Sequence, residues 1–146
     1  MGEHAYTVWI KAAPGLVWRV YVDASRIPHW QTGKPVIGDV HGGPGELGST
    51  YVSRRGPLVA RTTVLASDIP TRLVTRTDAY FGLELEITSR LTERAGGTDL
   101  ALNVETHWRS RRRLLEKVVE RAILSPREAR KELTNLKMII EREAEN

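Results

Sequence analysis

A chain of 146 residues is the common size of one domain, and it buries enough surface to fold without a metal or disulfide staple. Its 22 Lys and Arg outnumber 18 Asp and Glu, giving a formal net charge of +4. The absence of cysteine excludes thiol nucleophiles, disulfides and thiolate metal sites.

Met1 to Pro14 has no cationic stretch followed by an apolar run, so no signal peptide is expected. No apolar stretch approaches the roughly 20 residues that span a bilayer. A single domain over residues 1–146, soluble and cytoplasmic, is the expectation. The charge excess has a local source: Arg109, Arg111, Arg112 and Arg113 fall within five residues, and without them the chain is neutral. A nucleic-acid face spreads its cations and interleaves aromatics, so no nucleic-acid partner is expected. The cluster reads as a solvated turn before a helix. Four cations there oppose the helix dipole and would welcome an anionic partner.

In chain order, Ala5 to Lys11 alternates aromatic and β-branched residues and predicts a strand. Pro14 suits a first helical turn, and Leu16, Val17, Val20 and Tyr21 recur at helical spacing, predicting a short helix over Pro14 to Val22. A second short helical piece follows Asp23-Ala24-Ser25, with Pro28 early in it or in the next bend and Trp30 just after. Strands are predicted at Val36 to Val40 and Ser49 to Arg54, flanking the turn run His41 to Gly48. Two more are predicted at Leu58 to Ala66 and Leu73 to Tyr80.

Leu83 to Glu93 places Leu83, Leu85, Ile87 and Leu91 on one face and Glu84, Glu86, Thr88 and Arg90 on the other. After the turn Ala95-Gly96-Gly97, Leu100, Leu102, Val104, Thr106 and Trp108 alternate with polar residues in the same way. A sheet with one apolar and one charged face has one side in water and one side covered. The cover is the C-terminal segment. Leu115, Val118, Ala122, Ala129, Leu133, Leu136 and Ile140 form one helical stripe, interrupted at Ser125-Pro126-Arg127-Glu128, a helix-start signature. This predicts a helix from about Leu114, a break at Ser125-Pro126, and a main helix from Pro126 to about Glu143. The fold class is α+β: a curved antiparallel sheet of about seven strands, two short helices and a long C-terminal helix.

Ala12-Ala13-Pro14, Val17-Trp18, Asp23, Pro28 and Trp30 resemble the opening of the polyketide cyclase/dehydrase and lipid-transport family. Gly45, Gly48 and Thr50, then Pro70 to Val74, and Gly97-Thr98 match its later turns and strand starts. The wider superfamily includes the START lipid carriers and the birch pollen allergen. The resemblance implies a helix-grip fold, with sheet and C-terminal helix enclosing a cavity. Its members include carriers, hydrolases, cyclases, dehydratases and chaperone-activating domains, so fold analogy alone does not choose a function.

Sequence motifs for chemistry are sparse. Gly43 to Thr50 has P-loop glycine spacing, but Ser49 stands where the lysine is required and a strand follows, so it reads as a hairpin turn. His4, His29, His41 and His107 show no helical ligand spacing, and no metal or cofactor is expected. Strand parity puts His107 outside; His29, beside Trp30 at the cavity entrance, is the histidine to test. No G-x-S-x-G is present. Trp30, Tyr51, Tyr80 and Trp108 are candidate wall aromatics. Thr75, Thr77 and Thr106 place hydroxyls on an otherwise apolar wall, where they need partners. The expected inner wall is Leu83, Leu85, Ile87, Leu102, Val104 and Trp108, faced by Leu133, Leu136 and Ile140.

The leading expectation is a module that binds a lipid-like, aromatic or polyketide-like molecule. The alternative is a cyclase or dehydratase working in the same cavity. That chemistry needs an acid or base inside, and Arg61, Arg76, Tyr80 and His29 are its only suppliers, with Arg76 outside by parity.

Overall fold

A computed structural model describes residues 2–79, 82–109 and 125–146. Strand β1 (Gly2–Ile10) leads into helix α1 (Pro14–Tyr21), a 3-10 turn (Ala24–Arg26) and helix α2 (Ile27–Trp30). Six strands follow: β2 (Val36–His41), β3 (Thr50–Arg55), β4 (Leu58–Asp68), β5 (Arg72–Asp78), β6 (Leu83–Arg94) and β7 (Gly97–Trp108). Helix α3 (Pro126–Ala144) completes the described chain. All seven strands form one antiparallel sheet in the order β1-β7-β6-β5-β4-β3-β2. This is the expected helix-grip α+β architecture.

Local chemistry explains the starts and stops. Pro14 takes the first turn of α1, where its missing N–H leaves no bond unmade. Asp23 caps the 3-10 turn, its Oδ1 accepting from the Ser25 backbone N–H at 3.0 Å and from the Ser25 hydroxyl at 2.7 Å. Ser125 caps α3 by accepting from Glu128 N–H, as the Ser-Pro-Arg-Glu run predicts. The helix expected from Leu114 into this cap lies outside the described residues. Trp30 is the last residue of α2 rather than the first beyond it.

Helix α3 is attached to different elements along its length. Its C-terminal half is fixed to β1: Lys137 Nζ donates to the Trp9 carbonyl at 2.8 Å, and Glu141 accepts from Lys11 N–H at 2.9 Å. Its N-terminal half is fixed to the α2 end, where Asn135 Nδ2 donates to the Trp30 carbonyl at 3.2 Å. The solid core forms under the C-terminal half, where Leu136 and Ile140 are fully buried with Ile10, Val17, Val20 and Leu100. Among the described residues, no helix is long and apolar enough to cross a membrane.

Edge strand β2 carries a register shift between Gly38 and His41, at Asp39, which adopts φ 49°. Asp39 faces Arg54 of the neighbouring strand at 3.5 Å.

Candidate functional site

Under the N-terminal half of α3 the packing opens. A cavity of about 470 Å³ lies between the inner face of the sheet, the segment from Tyr21 to Gln31, and Ala129, Glu132 and Leu133 of α3. Exposed lining residues Ser25, Val40, His41, Gly42 and Pro44 mark its open side. Gly45 sits in this turn at φ 71°, and a Cβ there would lie 3.0 Å from Val22, so the turn and α1's end approach closely only through glycine.

The floor is set by strand register. One cross-strand row runs Tyr51, Thr62, Thr77, Leu85; the next runs Val64, Thr75, Ile87, Val104. Because side chains alternate faces along a strand, each row presents one face only. The first row is a hydroxyl line: Thr62 and Thr77 are 2.8 Å apart, and Tyr51 is linked to Thr62. Burial raises the Tyr51 phenol above its ordinary range, partly offset by the Thr62 hydroxyl. Tyr21, on the opposite wall, is bonded to Ser89 at 2.8 Å. Burial pushes its phenol up to about 12, against the lowering effect of that bond. Both tyrosines are therefore neutral hydrogen-bonding groups at ordinary pH.

One end of the cavity carries charge. Arg55 closes β3, and its Nη2 donates to Gln31 Oε1 at 2.9 Å, with Glu132 Oε2 at 4.0 Å. Glu132 Oε2 accepts from Thr32 N–H at 3.2 Å. Burial raises the Glu132 carboxyl above its ordinary range; the Thr32 bond and Arg55 oppose this, and Glu128 adds to it. Trp30 is 8% exposed, and its indole Nε1 has no hydrogen-bond partner among the described residues.

Of the residues read from the sequence as cavity wall, Trp30, Tyr51, Thr75, Thr77, Leu85, Ile87, Leu102, Val104 and Leu133 line this space. Leu136 and Ile140 do not, because their half of α3 rests on β1 in the solid core. Leu83 pairs with Trp108 at the far end of β6 and β7, beyond the lining, in a small apolar cluster that it shares with Leu85 and Val104 of the wall. Thr106, paired with Leu85, is fully buried outside the lining. Tyr80 lies outside the described residues.

The candidate acid–base suppliers fare differently. His29 is exposed on the solvent side of α2 and does not reach the cavity wall, which corrects its placement at the entrance. Arg61 is exposed, because its neighbours Ala60 and Thr62 take the inward positions of β4. Arg76 faces outward with Asp78 and Glu84, both at 3.6 Å. Sequence reading missed Tyr6, Tyr21, Arg55 and Glu132. Glu132 is next to Leu133 on the helical stripe, and that adjacency was its only signal.

On the outer face, Arg109 pairs with Asp78 at 3.4 Å and Glu84 at 3.2 Å. Arg111, Arg112 and Arg113 lie outside the described residues. Register also brings Glu86, Glu105 and His107 together, with one ligand atom of each within 4.8 Å of the others. This is the one group among the described residues with metal-ligand chemistry, and it is remote from the cavity wall.

Residues 11–121 match the family model for Activator of Hsp90 ATPase homolog 1-like protein. No curated protein matches by sequence. Among solved structures, a Rhodobacter sphaeroides protein is similar at TM-score 0.72 and 17% identity, over 94% of this chain and 91% of its own. The Aha1 dimer from Colwellia psychrerythraea is similar at TM-score 0.64 and 17% identity, over 97% of each chain. A putative protein of the dynemicin biosynthetic locus, DynU16, is similar at TM-score 0.69 and 19% identity, over 95% of this chain and 47% of its own. At these identities the structural likeness establishes the fold.

Proposed function

This chain belongs to the activator of Hsp90 ATPase homolog 1-like family, and from that premise we propose that it binds a small apolar molecule in the cavity beneath the N-terminal half of α3. The observation that carries this reading is the cavity itself. Protein interiors ordinarily pack to crystal density, yet here about 470 Å³ is left open beside a fully packed core. Its lining is mostly aliphatic and aromatic, with a few placed polar groups, which is the composition of ligand pockets.

Titration with N-phenylnaphthylamine, an uncharged apolar fluorophore, tests it. Saturable binding that Ala60→Phe and Ile87→Trp abolish is the expected result, since both residues line the cavity. Absence of binding, or binding that both variants retain, would refute the reading.

A second reading, cyclase or dehydratase chemistry on a polyketide-like substrate, is favoured by one half-buried acid, Glu132, on the cavity wall. A carboxyl raised above its ordinary range on a largely apolar wall is a candidate for proton transfer. A structural neighbour comes from the dynemicin biosynthetic locus. Turnover of a linear polyketide mimic that Glu132→Gln removes would favour this reading. Unchanged substrate recovered from the complex would exclude it.

A further inference from the structure

We propose that the molecule held in the cavity carries a carboxylate, read by Arg55 at the α2 end. This rests on the binding reading above and adds the chemical class of the ligand.

Apart from its three tyrosines, the cavity wall has four ionisable groups: Asp23, His41, Arg55 and Glu132. Asp23 is committed to capping, with its Oδ1 taken by Ser25. His41 stands exposed on the open side. Glu132 is a carboxyl whose burial disfavours its charged form, and the charged groups facing it are Arg55 from β3 and Glu128 from its own helix. Arg55 alone is a permanent cation.

The arginine is also held in place. Gln31 Oε1 holds Nη2 at 2.9 Å. Its side chain lies across Gly33, where a Cβ would come within 3.4 Å of Arg55 Cδ. Glu132 stands off at 4.0 Å, too far for a hydrogen bond. Gln31 takes one of the two Nη2 hydrogens, and Arg55 makes no other hydrogen bond with the described residues, so the second Nη2–H and the N–H beside it form an open two-donor edge. That edge matches a carboxylate fork to fork.

A second observation points to the same chemistry. Trp30, the neighbour of Gln31, has a buried indole N–H with no acceptor among the described residues. A buried unmet donor is costly. A ligand oxygen that accepts would satisfy it, and a carboxylate supplies two such oxygens, one for the indole and one for the guanidinium.

The experiment displaces bound N-phenylnaphthylamine with dodecanoate or with dodecanol at neutral pH. The native chain is expected to hold dodecanoate about tenfold more tightly than dodecanol, the scale of one charge-assisted pair. Arg55→Met is expected to remove that preference, so that acid and alcohol displace the fluorophore equally, and an unchanged far-UV circular dichroism spectrum shows that the variant is folded. Arg55→Lys is expected to retain part of it, since a point charge lacks the fork. The Trp30 indole N–H proton resonance, assigned by Trp30→Phe, is expected to move downfield with dodecanoate. Equal affinities for acid and alcohol, or a preference that survives Arg55→Met, would overturn the inference and leave the binding reading standing. Failure of the fluorophore to bind the native chain would remove both.

Discussion

Tyr21 Oη lies 2.8 Å from Ser89 Oγ, so the last residue of α1 is tied to the middle of β6 across the interior. Each hydroxyl is the other's partner in a region where an unmet polar group is expensive. Ser89→Ala should cost about 1–3 kcal/mol, because it strands the tyrosine hydroxyl. Tyr21→Phe combined with Ser89→Ala should cost less than the sum of the two single changes. Urea denaturation of the four chains measures the coupling.

The same tyrosine sets an alkaline limit. Its folded pKa is raised to about 12 from 10.0, so the native state holds the proton more tightly than the unfolded chain. Its contribution is complete below pH 10 and is lost as pH rises toward 12. Tyr21→Phe should flatten the loss of stability over that window. A phenolate absorbance titration should show Tyr21 and Tyr51 ionising late, and Tyr21→Phe should remove one of the two.

Glu132 works at the opposite end of the scale. Its folded pKa is raised above 4.5, chiefly by burial, so its contribution is greatest in acid and is lost as pH rises through the folded value. Glu132→Gln should therefore gain stability relative to the native chain on moving from below pH 4.5 to neutrality. Thermal melts of both chains at the two conditions check the sign.

The two halves of α3 should respond differently to truncation. Leu136 is fully buried in solid core, and Leu136→Ala should cost about 2–5 kcal/mol. Leu133 borders the cavity, where lost contacts are fewer, so Leu133→Ala should cost less and alter ligand affinity instead. Denaturation and fluorophore titration together separate the two effects.

Gly97 opens β7 against the end of β1. A Cβ there would meet the Ile10 carbonyl and would lie 2.7 Å from Trp9 Cζ2, with no flexible side chain to give way. The next residue, Thr98, donates to the Ala12 carbonyl at 2.7 Å and is fully buried, so this corner has no room to shift. Gly97→Ala should destabilise by about 1–3 kcal/mol, measurable in the same denaturation assay.

The sheet and its grip are legible in the sequence because both rest on local periodicity. The alternation of Leu83 to Leu91 and of Leu100 to Trp108 specifies which face is covered, and the spacing of Leu133, Leu136 and Ile140 specifies what covers it. Periodicity does not say where along that interface the packing opens. Leu133 and Ile140 are equivalent on the stripe, yet one borders the cavity and the other is fully buried in the core, a difference made by what each half of α3 docks against. Arg55 and Glu132 are brought together from β3 and α3 by docking, with no spacing in the chain to announce them. Glu86, Glu105 and His107 meet only through the β6–β7 register.

Among the described residues the sheet does not close, and strand β2 is left as an edge with Val36 65% and Val40 56% exposed. An uninterrupted edge of that kind is a template on which a second chain adds strands and aggregates. The kink at Asp39 falls between the two valines, and its carboxylate and Arg54 put charge beside them. A straight, ladder-competent run is thereby cut to a few residues. Straightening this strand would endanger solubility at high concentration before it endangered the fold.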